Sequence, residues 1–78
     1  MAAVIDGATE KTFLSIQDEY PHEFVLVRIT DIDDVQGTGK GIALYKSFRR
    51  PELEQIARER GMSIHTVILT GRKLKHKK

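Results

Sequence analysis

The chain contains no cysteine, which removes disulfides, thiolate metal sites and thiol nucleophiles together. It also has no apolar run approaching the ~20 residues that span a bilayer. Met1 to Gly7 shows no basic stretch followed by an apolar one, as a secretory leader would. A cytoplasmic protein is the reading these absences favour. Catalytic machinery is missing as well. No G-x-S-x-G elbow occurs, and no carboxylate pair falls in an evident pocket. Asp18 and Glu19 are neighbours on a helical stretch, so their side chains do not face each other. The chain therefore reads as non-enzymatic, with no cofactor and no small-molecule substrate.

Two stretches invite a ligand and fail in detail. Gly37-Thr38-Gly39-Lys40-Gly41 suggests a phosphate loop, but the glycine spacing is wrong, Gly41 stands where a hydroxyl residue is required, and a strand rather than a helix follows. Glycines permitting positive φ in a hairpin loop are the simpler explanation. Asp31, Asp33 and Asp34 suggest a cation loop, yet Gln36 and Ile42 occupy the places of its glycine and bidentate glutamate. The histidines His22, His65 and His76 share no ligand spacing. No metal site is expected.

What is present is one small domain of 78 residues, 40% hydrophobic and 31% charged. A domain of this size buries only about 60–65% of the surface its unfolded chain exposes. With neither disulfide nor metal, so thin a core favours self-association. A flexible N-terminus over residues 1–8, a single α+β domain over 9–71 and a flexible basic tail over 72–78 are expected.

Within the domain, Phe13, Ile16 and Tyr20 recur at helical spacing after Thr9, a plausible N-cap, and Pro21 ends that helix. Glu23 to Thr30 is the clearest strand, apolar at both parities: Val25, Val27 and Ile29 on one face, Phe24 and Leu26 on the other. Asp31 to Gly41 reads as a long hairpin loop and Gly41 to Lys46 as a second strand. A second helix is expected from Pro51 to Arg60, with Leu53, Ile56 and Ala57 as its apolar stripe and Gly61 as its C′ residue; Ile64 to Thr70 makes a third strand. The order α-β-β-α-β implies a three-stranded mixed or antiparallel sheet packed against two helices. A right-handed crossover places strand three beside strand one, in the order 2-1-3. If both helices lie on one face, the apolar residues of strand one on the other face need a partner, and a homodimer or protein contact through the sheet face or edge follows.

Charge is divided along the chain. Residues 1–39 carry two basic and eight acidic side chains, net −6, whereas residues 40–78 carry eleven basic and three acidic, net +8. Arg72, Lys73, Lys75, Lys77 and Lys78, together with Arg49 and Arg50, are the candidate contacts for nucleic acid, the alternative partner. Only Tyr45 and Phe48 lie near them as aromatics, and Phe48 reads as core. No lipidation motif or basic amphipathic helix supports a membrane contact.

Tyr20-Pro21-His22-Glu23-Phe24-Val25-Leu26-Val27, then a loop, a strand ending near Lys46-Ser47, a helix with Glu52-Leu53 near its start and a last strand ending in Thr70-Gly71, resembles a family of small uncharacterised bacterial proteins. Its members open with a tyrosine-proline-x-glutamate-tryptophan-valine pattern after a short helix. The resemblance covers about Phe13 to Gly71. The chain departs from the pattern at Phe24, where tryptophan is usual, and at Arg49-Arg50-Pro51, where an acidic N-cap is usual. The resemblance implies a ββαβ core, a bacterial cytoplasmic setting and an accessory or interaction role, and it assigns no functional residue.

Overall fold

The computed structural model describes residues 2–5, 9–33, 38–62 and 64–73, with backbone alone at 33 and 38. In chain order the elements are β1 (Ala3–Val4), β2 (Lys11–Thr12), α1 (Phe13–Glu19), β3 (Phe24–Asp33), β4 (Thr38–Ser47), α2 (Arg50–Glu59) and β5 (Thr66–Thr70). They form an α+β domain in which every strand pairing is antiparallel.

β3 is the central strand, and its composition explains why. Val25, Leu26 and Val27 are all buried, as a strand apolar at both parities requires when it is covered on both sides. The two helices supply that cover from opposite faces. Ile16 of α1 packs on Val25 and Val27, joined by Phe13, Tyr20, Val67 and Leu69. Leu53 and Ala57 of α2 pack on Leu26, joined by Phe24, Tyr45, Ile56 and Ile68. The conditional expectation of two helices on one face is thereby corrected: neither face of β3 is left bare, and an exposed sheet face gives no reason for association.

The sheet has five strands rather than three. Its order is β1-β4-β3-β5, and β2 also pairs β4. It differs from the expected 2-1-3 by the two short strands laid outside β4. Ala3 and Val4 pair with Lys46 and Tyr45, Lys11 and Thr12 pair with Gly41 and Lys40, and between them the Ile5 N–H donates to the Leu44 carbonyl at 2.9 Å. Residues 1–8, expected to be flexible, thus contribute β1.

Three boundaries also move. Helix α1 begins at Phe13 and not near Thr9. Its N-cap is Thr12, whose Oγ1 accepts from the Ser15 N–H at 3.1 Å, because Lys11 and Thr12 are already committed to pairing with β4. Much of the expected loop from Asp31 to Gly41 is strand, since β3 runs to Asp33 and β4 starts at Thr38. Gly39 and Gly41 serve close approach and not positive φ. A Cβ at Gly41 would collide with the Arg28 carbonyl and Val27 Cγ1, and one at Gly39 would sit 2.7 Å from Phe13 Cε2. Beside them Thr30 is an extra residue on β3, between the pairs Ile29↔Gly41 and Asp31↔Lys40, a bulge that sharpens the local twist. Among the described residues only Gly61 has positive φ, at 65°, as a C′ residue closing α2.

Candidate interaction site

Among the described residues, one long edge of the sheet is covered by further strands and the other is not. β1 and β2 cover the outer side of β4, whereas among the described residues no strand pairs with the outer side of β5. Which groups of β5 face outward follows from alternation along an antiparallel strand. The Ile29 N–H donates to the His65 carbonyl at 2.8 Å, and the Gly71 N–H donates to the Glu23 carbonyl at 3.0 Å. With Val27 opposite Val67 and Val25 opposite Leu69, the odd-numbered residues bond to β3. The backbone groups of Thr66, Ile68 and Thr70 therefore point away from the sheet. One of these is already used: Gln17 Nε2 of α1 reaches around the strand end and donates to the Thr70 carbonyl at 2.8 Å.

Alongside this edge runs a groove of about 370 Å³ between β5 and α2, floored by Leu26, Ala57 and Ile68 and rimmed by Arg50, Glu54 and Arg58. The rim residues stand four apart on α2, so they share one side of the helix. Arg50 and Glu54 form an exposed ion pair, Nε to Oε2, at 3.2 Å. The 3.6-residue repeat in the sequence contained this stripe. Its orientation toward a sheet edge did not emerge, because that depends on which strand is outermost.

The candidate nucleic-acid residues are brought partly together. Phe24 pairs with Ser47 on one side and Thr70 on the other. β4 and β5 therefore end at the same end of the sheet, and Arg49, Arg50, Arg72 and Lys73 leave it there. The turn holding Arg72 and Lys73 packs toward α1: the Lys73 N–H donates to the Pro21 carbonyl at 2.9 Å, and Arg72 Nε lies 3.4 Å from Asp18 Oδ1. Arg49 and Arg50 instead start α2 on the other face. Lys46 is engaged by Glu23 at 3.8 Å and by the Tyr20 ring, 5.2 Å from its centroid. Lys75, Lys77, Lys78 and His76 lie outside the described residues. Phe48, read as core from the sequence, is corrected outright: it is 72% exposed.

Beside Phe48, buried Ser47 organises the chain. Its Oγ donates to Glu52 Oε1 at 2.6 Å and accepts the Arg49 N–H at 3.0 Å. This hydroxyl takes over where Arg49, the N-cap of α2, offers no side-chain capping bond. The Ser47 hydrogen bond holds the Glu52 carboxyl below its ordinary range, with a smaller contribution from the charge of Arg49. Among the described residues no cluster of three metal-ligating side chains occurs, and no helix is long and apolar enough to cross a membrane. No protein-family model, curated protein or solved structure matches the chain, so its function is read from its own geometry.

Proposed function

We propose that this chain is a non-enzymatic interaction module that associates with a second copy of itself through the outer edge of β5. The observation that carries this reading is the asymmetry of the sheet: β4 is closed by β1 and β2, while among the described residues no strand pairs with the outer side of β5, which runs beside an apolar groove. An edge of this kind binds an extended strand by main-chain hydrogen bonds, with the adjoining groove taking side chains.

A second copy suits the edge because β5 is self-complementary. Two antiparallel β5 strands related by a twofold axis at Val67 set Thr66 of one copy opposite Ile68 of the other. Each such pair exchanges two hydrogen bonds. This register leaves aside the Thr70 carbonyl, which Gln17 occupies, and it encloses each Ile68 between the two grooves. A cytoplasmic setting, in keeping with the absence of cysteine, belongs to the same reading.

Light scattering across a concentration series, paired with amide hydrogen exchange, tests it. Mass rises toward twice the monomer value while the amides of Thr66 and Ile68 gain protection, and those of Val67 and Leu69 are protected throughout. Thr66→Pro removes one outward N–H while sparing the bonds to β3, and it returns the chain to monomer. A monomeric mass at millimolar concentration, with fast exchange at Thr66 and Ile68, defeats the proposal.

A further inference from the structure

We infer that the end of the sheet where β4 and β5 finish is a contact site for single-stranded nucleic acid, with Phe48 as the platform for one base and Arg49, Arg50, Arg72 and Lys73 as phosphate contacts. This site shares Arg50 with the rim of the groove beside β5 but does not depend on association.

Phe48 carries the argument. A phenylalanine 72% exposed loses the burial that normally accounts for its presence, and here it sits directly before two arginines, in the turn that joins β4 to α2. An open aromatic face amid cations is the arrangement by which single strands are held: bases stack on the ring, and the backbone follows the charges. A duplex, whose bases are already stacked on one another, gives the ring no base face to meet. Ser47 fixes the platform, because its two hydrogen bonds tie the turn to Glu52 and to the Arg49 amide.

The cations leave the two strand ends toward opposite faces, Arg49 and Arg50 with α2 and Arg72 and Lys73 toward α1, so a strand that meets both groups crosses the end of the sheet. Ser47 and Thr70 both pair with Phe24, so the two strand ends stand two sheet spacings apart, about 10 Å. That interval covers about three phosphates at the 3.4 Å axial rise of a stacked strand. Arg50 and Arg72 hold Glu54 and Asp18 in ion pairs whose members are all about half exposed, and a phosphate competes readily with pairs of that kind. Two other acidic residues at this end, Glu23 and Glu52, are held by Lys46 and by the Ser47 hydroxyl, while Glu10 and Asp31 lie at the far end of β3. There Thr30 Oγ1 donates to Glu10 Oε2, and Asp31 stands opposite Lys40 in the strand register.

The test is fluorescence anisotropy with a labelled oligothymidylate, an oligouridylate and a duplex of equal length, at two salt concentrations. The single strands bind, the duplex binds more weakly, and affinity falls as salt rises. Phe48→Ala, at an exposed position that leaves the core intact, weakens single-strand binding by about 5- to 150-fold, the range for loss of one base stack. Phe48→Tyr restores it. Replacing Arg49 and Arg50 by alanine flattens the salt slope by about 1.4, two phosphate contacts' worth for a single strand. Single-strand binding unchanged in Phe48→Ala, or tighter binding to the duplex, overturns the inference. Binding to anionic phosphatidylserine vesicles that requires Phe48, with no binding to either oligonucleotide at low salt, reassigns the ring to a membrane surface and also overturns it.

Discussion

The placement of the helices on opposite faces of β3 makes a quantitative prediction about how mutations combine. Leu53 is fully buried against Leu26 and Ala57 in one cluster, and Ile16 is fully buried against Val25 and Val27 in the other. Leu53→Ala removes three carbons from a closed site and costs about 2–5 kcal/mol, while Ile16→Val removes one and costs about 0.5–1.5 kcal/mol. A chain of this length has a total stability of about 4–12 kcal/mol at 0.05–0.15 kcal/mol per residue, so the double variant remains measurable when sulfate is added to raise the baseline. In urea, with an m-value of about 1–1.5 kcal/mol/M for so small a domain, a 3 kcal/mol loss moves the midpoint by about 2–3 M. The decisive quantity is the coupling. Side chains separated by the strand share no contact, so the two losses add within about 0.5 kcal/mol, whereas side chains in one shared core couple by about 0.5–3 kcal/mol. A double-mutant cycle on urea midpoints measures it. Coupling above about 1 kcal/mol, or a Leu53→Ala loss below about 1 kcal/mol, refutes the two-cluster description.

Further outcomes follow from single contacts. Thr12→Ala removes the N-cap of α1 and costs about 0.5–2 kcal/mol, read as a urea midpoint shift; no loss would put the start of α1 elsewhere. Gly41→Ala drives a methyl into the Arg28 carbonyl and Val27 and costs about 1–3 kcal/mol. Gly61→Ala, with nothing within 4 Å of the added carbon but φ at +65°, costs about 1 kcal/mol from backbone conformation alone; thermal melts that rank the two in reverse contradict the packing at Gly41. The Glu52 carboxyl is held low by Ser47, so its folded state releases the proton more readily than the unfolded chain does. That contribution to stability is present above the ordinary carboxylate range and disappears as pH falls through the lowered folded value. Ser47→Ala brings the Glu52 titration back up, as side-chain carboxyl NMR reports, and makes urea midpoints less sensitive to acid. Lys11 behaves oppositely: its hydrogen bond to Glu19, at 2.7 Å, raises its pKa, so its contribution holds below the ordinary lysine range and is lost as pH rises through the raised value. Glu19→Gln removes that dependence.

The sequence displayed β3, α2 and the core residues of both, because each reports a local property. Val25, Leu26 and Val27 announce burial on two faces, and Leu53 with Ala57 announces a helical stripe. It could not display β1 or β2, which are two-residue pairings with no periodicity of their own, held by a strand some thirty to forty positions away. The extended hairpin was hidden because Asp31, Asp33 and three glycines carry the composition of a loop, and only the close approach of the Arg28 carbonyl and Val27 shows why glycine is needed at position 41. Phe48 was misread for a related reason. Its residue type suggests core, but the turn that Ser47 ties to Glu52 leaves it outside both clusters. The charge division along the chain is not a division in space: the ends of β4 and β5 bring Arg49, Arg50, Arg72 and Lys73 to one end, but Asp18 and Glu23 of the acidic half lie there too, against Arg72 and Lys46, and Lys40 stands opposite Asp31 at the other.

The two short strands outside β4 have a consequence for assembly size. A sheet with a single available edge can join one neighbour and then stops, giving a closed pair. A sheet available on both sides can add copies without limit, as fibres do. Under the association proposed through β5, Ala3–Val4 and Lys11–Thr12 would act as stoppers: by occupying the flank of β4 they would turn an open-ended polymerisation into a reaction that ends at two. In that proposal, four paired residues near the N-terminus set the difference between a closed pair and an open-ended chain of copies.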